Sequence, residues 1–227
     1  MKKKIGILAG MGPRSTSPFL EMVLNQCQKQ YNAKYDIDYP HILIYSLPTP
    51  FYIDRVINHD EMKKTIKNGL KDLEKSGVDY IAMPCNSAHI YFDEIKESIK
   101  IPLMNIVDET IKKIKDKNKK ITIFSTEVTM KSEIYQKGIQ KSQNDFYFKK
   151  EWQKTVNKII QMVKNNENKE NIEKEWRKLI KEVKENKVEY IIIACTDLSM
   201  LKNDFKMIKI IDSSKSLAES VIKKYLH

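Results

Sequence analysis

The chain has 227 residues, 41 Lys+Arg against 30 Asp+Glu and a formal net charge of +11, with 41% hydrophobic and 31% charged residues. That length is roughly one and a half average domains, enough to bury a core, and the composition is that of a globular protein rather than a disordered or fibrous one. No apolar run approaches the roughly 18 residues of a membrane helix.

The opening MKKKIGILAGMGPR reads as a first strand, Ile5–Leu8, and a loop rather than a secretory leader. Its apolar part is short, rich in glycine and stopped by Pro13 and Arg14. A helix is predicted over Pro18–Gln30, with Phe19, Met22, Val23 and Cys27 at helical spacing. Cys27 on that apolar face reads as a small buried hydrophobe. A strand follows at His41–Tyr45, then a helix at Asp60–Lys75, a strand at Tyr80–Met83, a helix at Ala88–Ile99 and a strand at Ile101–Met104. The second series has strands at Ile121–Phe124, Phe146–Phe148, Tyr190–Ala194 and Ile208–Ile211. Its helices are predicted at Thr129–Lys141, Glu151–Val163, Ile172–Asn186 and Ser214–Tyr225, with the polar KNNENKEN (164–171) as a surface loop. Strands alternating with helices indicate a parallel α/β protein. A continuous apolar strand such as YIIIA suits a sheet covered on both faces.

The chain also repeats itself. VDYIAMPCNS (78–87) aligns without gaps on VEYIIIACTD (188–197), KKKIGILAG parallels KKITIFST, and NIVDET (105–110) parallels KIIDSS (209–214). We therefore expect two similar lobes related by approximate twofold symmetry, each a parallel sheet of about four strands flanked by helices. The expected lobes are 1–104, with the last helix 213–227 packing back on it, and 105–212.

Loops at the carboxyl ends of parallel strands line ligand crevices, and Cys85 and Cys195 both fall just past such ends. A helix N-terminus after each cysteine would stabilise a thiolate. Three cysteines, odd in number and widely spaced, argue against a disulfide framework and for a reducing cytoplasm. Two thiols in matching positions of two lobes suit a reaction that takes a proton from one face of a carbon and returns it on the other. One cysteine acts as thiolate base and the other as thiol acid, and a reference thiol pKa of about 8.5 makes both forms accessible. Asn86, Ser87 and Thr196, with loop N–H groups, are placed to stabilise charge developing on a substrate carboxylate.

The loop Gly10–Ser15 comes after the first strand, as a dinucleotide-binding loop would. It lacks the third glycine, and Pro13 removes an N–H donor, so Met11 and Gly12 are read as binding a substrate carboxylate instead. Only three basic residues are arginine (Arg14, Arg55 and Arg177); the charge reads as a solvated lysine surface, not a nucleic-acid face. Arg14 is assigned to a carboxylate contact, with a hinge between loop and helix as its alternative. Cys85 and His89 are too few for a zinc site; His89 is expected to pack or hydrogen-bond in its helix, and His59 to be exposed. Asp108 and Asp212 end comparable strands, as helix caps or as orienting groups. Thr126 and Thr129 line a carboxylate-binding turn or cap the strand end.

GILAGMGP (6–13), MPCNSAH (83–89), STEVTMKSEIY (125–135), ACTDLSML (194–201) and IIDSS (210–214) together resemble the aspartate/glutamate racemase family. The resemblance runs in order over nearly the whole chain. It implies a two-lobed enzyme with the active site between the lobes, Cys85 and Cys195 as the catalytic pair, no pyridoxal phosphate or other cofactor, no metal, and a homodimer. It also implies a small acidic amino acid as substrate, with Arg55 in PTPFYIDR gripping the side-chain carboxylate and Lys164 as a second cationic contact. Asp197 stands where the family usually has glutamate, and Leu217 where it often has histidine. Maleate isomerase-like and hydantoin racemase-like enzymes share the implied arrangement and are the rival enzyme readings. A nucleic-acid-binding α/β protein and a non-catalytic amino-acid sensor are the rivals of other classes.

Overall fold

The structure, a computed structural model, describes residues 3–52, 56–201 and 208–227. The chain divides into two compact units, Met1–Ile106 with Leu217–His227, and Val107–Ser216.

The first unit carries strands β1 (Lys4–Ala9), β2 (His41–Ser46), β3 (Tyr80–Ala82) and β4 (Leu103–Met104) in the order β2-β1-β3-β4, all parallel. Helices α1 (Thr16–Tyr31), α2 (His59–Lys75) and α3 (Phe92–Lys96) lie between these strands in the chain, and α4 (Ile106–Ile111) starts at the unit's last residue before the boundary. The second unit repeats the plan. Strands β5 (Lys120–Ser125), β6 (Asp145–Phe146), β7 (Tyr190–Ala194) and β8 (Lys209–Asp212) pair in parallel in the order β6-β5-β7-β8. Its helices are α5 (Glu127–Lys131), α6 (Ile134–Lys141), α7 (Lys150–Lys164) and α8 (Lys169–Glu185). The last helix, α9 (Ser213–Leu226), begins in the second unit and belongs to the first from Leu217 onward. Two four-stranded parallel sheets flanked by helices make an α/β protein, the class the alternating pattern indicates.

The repeated acid–tyrosine pair explains the shared topology. The Asp79 N–H donates to Lys4 O at 2.9 Å while its carboxylate accepts the Lys4 N–H at 2.5 Å, which sets Ile5 opposite Tyr80. Glu189 does the same on β5, donating to Lys120 O at 2.9 Å and accepting the Lys120 N–H at 3.1 Å, which sets Ile121 opposite Tyr190. The acid thus holds each cysteine-bearing strand in one register. Tyr80 donates its hydroxyl to Val221 O at 2.8 Å, which fastens α9 to the first sheet.

In the second unit, the apolar stripes of α7 and α8 cover the sheet with Trp152, Val156 and Ile159 from one helix and Trp176, Leu179 and Val183 from the other. Both tryptophans meet Phe124 edge to face, at 6.5 and 5.6 Å between ring centroids, the geometry that the ring quadrupoles favour.

Three expectations are corrected. The helix predicted over Ala88–Ile99 is a 3-10 turn, Ser87–Tyr91, followed by the short α3. The His89 ring takes Cys85 O at 2.7 Å, the carbonyl that an α-helical N–H of residue 89 would use, so that N–H bonds Asn86 O at 3.0 Å instead. The helix predicted over Thr129–Lys141 is divided into α5 and α6 at Glu133, whose φ is +58°. There the Ser132 hydroxyl bonds Thr129 O at 2.7 Å, again replacing the next backbone donor. Third, Asp108 does not end a strand: it lies inside α4. Leu103 pairs with Ile81 and Ile210 with Ile191, so the counterpart of Asp212 is Asn105, three residues earlier.

Gly10 follows β1 in a conformation that only glycine takes readily, with φ +90°. A Cβ there would stand 2.5 Å from the Leu47 backbone nitrogen, whose neighbourhood is fixed by the 3.0 Å bond from Leu47 N–H to Ala9 O. Gly10→Ala is expected to destabilise the protein by about 2 kcal/mol or more, measured by urea unfolding. A variant of unchanged stability would show that the loop can retreat from Leu47.

Candidate active site

Each cysteine sits beyond the carboxyl end of the third strand of its sheet. In the first unit, β3 ends at Ala82 and a tight turn, Cys85 N–H to Met83 O at 2.8 Å, presents Cys85, Asn86 and Ser87. All three are buried. The glycine loop leaves the neighbouring strand β1. There Met11 and Gly12 are half-buried and Arg14 is exposed in the 3-10 turn Pro13–Ser15. Two hydrogen bonds hold this loop: the Gly10 N–H donates to Thr16 Oγ1 at 3.2 Å and the Ser15 hydroxyl to Gly12 O at 2.8 Å. The sheet order therefore brings the loop and Cys85 to adjacent strand ends. Arg55 lies outside the described residues.

In the second unit, Ala194 ends β7 opposite Ser125 of β5, so Cys195 and Thr126 leave neighbouring strand ends. Thr126 caps α5, its hydroxyl accepting the Thr129 N–H at 3.3 Å. Cys195, Thr196 and Asp197 are buried. The Cys195 thiol points at Asp197 Oδ2, 4.0 Å away, and Lys164 Nζ at the end of α7 pairs with that same oxygen at 3.2 Å.

Burial pushes the Cys195 thiol up to about 12, and the Asp197 charge acts in the same direction. The backbone N–H groups of Asp197 and Leu198 and the Lys164 ammonium pull it back only in part. At Cys195 the expected helix-dipole stabilisation of a thiolate is corrected. Each cysteine precedes a 3-10 turn, Ser87–Tyr91 in the first unit and Leu198–Met200 in the second. So short a turn aligns few peptide dipoles, and at Cys195 desolvation of the sulfur outweighs them. The Lys164 charge meets Asp197.

The remaining candidates take structural places. Cys27 is fully buried on α1, where desolvation raises its thiol pKa. His59 is exposed, with Nδ1 2.6 Å from the Tyr91 hydroxyl. Asp212 caps α9, its Oδ1 accepting the N–H groups of Ser214 at 2.8 Å and Lys215 at 3.1 Å. Leu217 is fully buried. Asp197 and His89 are the residues whose closeness to the cysteines the sequence reading undervalued. Their signal was position, two residues after one cysteine and four after the other.

A helix long and apolar enough to cross a membrane is absent among the described residues. The family model described as Asp/Glu/hydantoin racemase matches residues 8–221. The chain is 48% identical over 223 residues to the broad specificity amino-acid racemase RacX of Bacillus subtilis (strain 168), covering 98% of each chain. Among solved structures it is similar to the aspartate racemase of Picrophilus torridus, with a TM-score of 0.82 at 30% identity, over 98% of this chain and 94% of that one. It is also similar to an aspartate racemase homologue from Pyrococcus horikoshii OT3, with a TM-score of 0.80 at 26% identity over the full length of both. Equivalent cysteine loops on two repeated sheets, and a family match that spans both of them, lead to one conclusion: the chain belongs to the Asp/Glu/hydantoin racemase family.

Proposed function

We propose that the protein is an amino-acid racemase that interconverts the L- and D-forms of aspartate and glutamate by passing the α-proton between Cys85 and Cys195. The observation that carries this reading is the equivalence of the two cysteine loops, each leaving the third strand of a β-sheet of the same order. In the proposed reaction one cysteine, as thiolate, takes the α-proton and becomes a thiol. The electron pair left on carbon is delocalised into the α-carboxylate, and the other thiol protonates the opposite face. Each turnover leaves the proton inventory of the pair unchanged but exchanges the roles of its members.

The resting Cys195, held protonated by burial, is the proton donor in this scheme. In the reverse direction Cys195 starts as the thiolate and takes the α-proton, with Asp197 Oδ2 4.0 Å from its sulfur. Lys164 balances the Asp197 charge in either direction. Met11, Gly12 and the polar groups of Asn86, Ser87, Thr126 and Thr196 are assigned to the substrate α-carboxylate and its developing charge. Arg14 and Arg55 are assigned to the side-chain carboxylate. Because Lys164 is engaged with Asp197, it is assigned to tuning that carboxylate rather than to gripping the substrate. This favours a second reading in which the substrate range extends beyond acidic amino acids, as the name of the Bacillus subtilis relative states for that protein. The protein is further proposed to act as a homodimer in the cytoplasm, where its three thiols stay reduced.

Proton NMR in D₂O provides the test. L-Aspartate and L-glutamate should lose their α-proton signal in the presence of the protein while circular dichroism of the amino acid decays to zero. A panel of neutral and basic L-amino acids defines the range. Absence of exchange and of optical decay with every amino acid would remove the racemase reading.

A further inference from the structure

The fourth residue after each cysteine ties its loop to a helix start, and the two ties use different chemistry. In the first unit this residue is His89, almost fully buried and stacked on Phe92 at 5.6 Å between centroids. Its Nε2 accepts the Ile106 N–H at 3.1 Å, so the ring proton lies on Nδ1 and donates to Cys85 O at 2.7 Å. Met104 O, 3.3 Å from the unprotonated Nε2, receives no proton from it. In the second unit the equivalent residue is Ser199, also buried. Its hydroxyl donates to Asp212 Oδ1 at 3.1 Å and lies 3.3 Å from the Ser214 hydroxyl. Asp212 Oδ2 is buried and has no hydrogen-bond partner among the described residues, so Oδ1 alone carries the tie.

Both ties end on helices in which the chain changes units. Ile106 begins α4, and the unit boundary comes immediately after it; Asp212 caps α9, within which the second boundary falls. We propose that His89 and Ser199 are positioning residues that hold Cys85 and Cys195 in register with the starts of these two crossing helices. The proposal rests on the racemase reading for what the thiols do, not for the ties themselves. Neither residue is assigned a contact with the substrate. A one-donor, one-acceptor side chain is all that position 89 requires, and a single donor is all that position 199 requires.

The test is the alkylation rate of each cysteine by iodoacetamide in the folded protein, measured by peptide mass spectrometry with Cys27 as internal reference. His89→Leu should raise the Cys85 rate by about tenfold and leave Cys195 unchanged, as loss of a buried hydrogen bond frees its loop. Ser199→Ala should do the reverse. His89→Gln, which keeps one donor and one acceptor, should label as the parent does. The same variants should lower kcat with KM unchanged, and His89→Gln should restore it. Rates that change together at both cysteines, or at neither, overturn the proposal. If His89→Leu fails to fold, Ser199→Ala decides alone through the ratio of Cys195 to Cys85 labelling. Selective changes in labelling in the variants, with a parent protein that exchanges no α-proton, would uphold the ties and remove the racemase reading.

Discussion

Replacing either Cys85 or Cys195 by alanine is expected to reduce the racemisation rate by roughly 10²–10⁴-fold, the usual weight of a positioned acid or base. A two-base reaction needs a proton acceptor on one face of the α-carbon and a donor on the other, so neither thiol can compensate for the loss of its counterpart. Each variant should remain folded. The cysteines are small, and removing one sulfur from a strand-end loop leaves both sheets and the acid–tyrosine register intact. Enantiomer conversion measured with each of the D- and L-forms, beside the circular dichroism of the protein, checks this. A folded single variant with undiminished conversion would exclude the pairing of Cys85 with Cys195. Cys27→Ala supplies the contrast. Its thiol is buried on the apolar face of α1, so stability should fall modestly and the rate should not.

The second large effect concerns acid stability. Burial lowers the His89 pKa from 6.5 to about 4, despite the carbonyl contacts that oppose the shift. Between these values the unfolded chain binds a proton that the folded chain refuses, so stability falls as the pH drops from about 6.5 to about 4 and is unaffected by this group above that range. The full loss is about 3 kcal/mol, and about 2 kcal/mol has gone by pH 5. Asp212 acts in the opposite sense. Its carboxyl is raised by burial, so its protonated form favours the folded state as the medium acidifies. Comparing the parent with His89→Gln isolates the histidine because Asp212 is common to both. The variant should lose less stability between pH 7 and pH 5, by about 2 kcal/mol in urea unfolding. Equal losses in the two proteins would place the His89 ring in contact with water rather than in the sealed position between Cys85 O and Ile106 N–H. The same substitution thus keeps the tie and removes the titration, which separates positioning from charge.

The eight strands of the described residues and the equivalence of the two cysteines were legible because both depend on local information. Apolar runs of strand length report burial on two faces of a parallel sheet. A gapless ten-residue repeat has only one sensible alignment, which places Cys85 on Cys195 and His89 on Ser199. The α/β class came from the alternation alone, and the acid at positions 79 and 189 was visible as a repeat before its role in strand register was known.

The tertiary structure decided matters that depend on competition between partners distant in the chain. Whether Ser87–Tyr91 forms an α-helix or a 3-10 turn depends on the His89 ring taking the Cys85 carbonyl while Ile106, 17 residues away, takes the other ring nitrogen. No helix propensity records that contest. Lys164 and Asp197 are 33 residues apart, and only the packing of α7 beside the β7 loop makes them an ion pair at 3.2 Å instead of two free charges. The fourth strands differ by three residues in pairing register relative to the aspartate motif, so similarity of NIVDET to KIIDSS could not locate the counterpart of Asp212. The thiol chemistry was reversed for the same reason. A cysteine before a helical pattern suggests an easily formed thiolate, but the folded chain buries the Cys195 sulfur beside a carboxylate, and desolvation in three dimensions outweighs a single turn of aligned peptides. The sequence by itself determined which residues are repeated and which strands they adjoin; the fold decided what each of them touches, because burial and pairing are properties of the assembled chain.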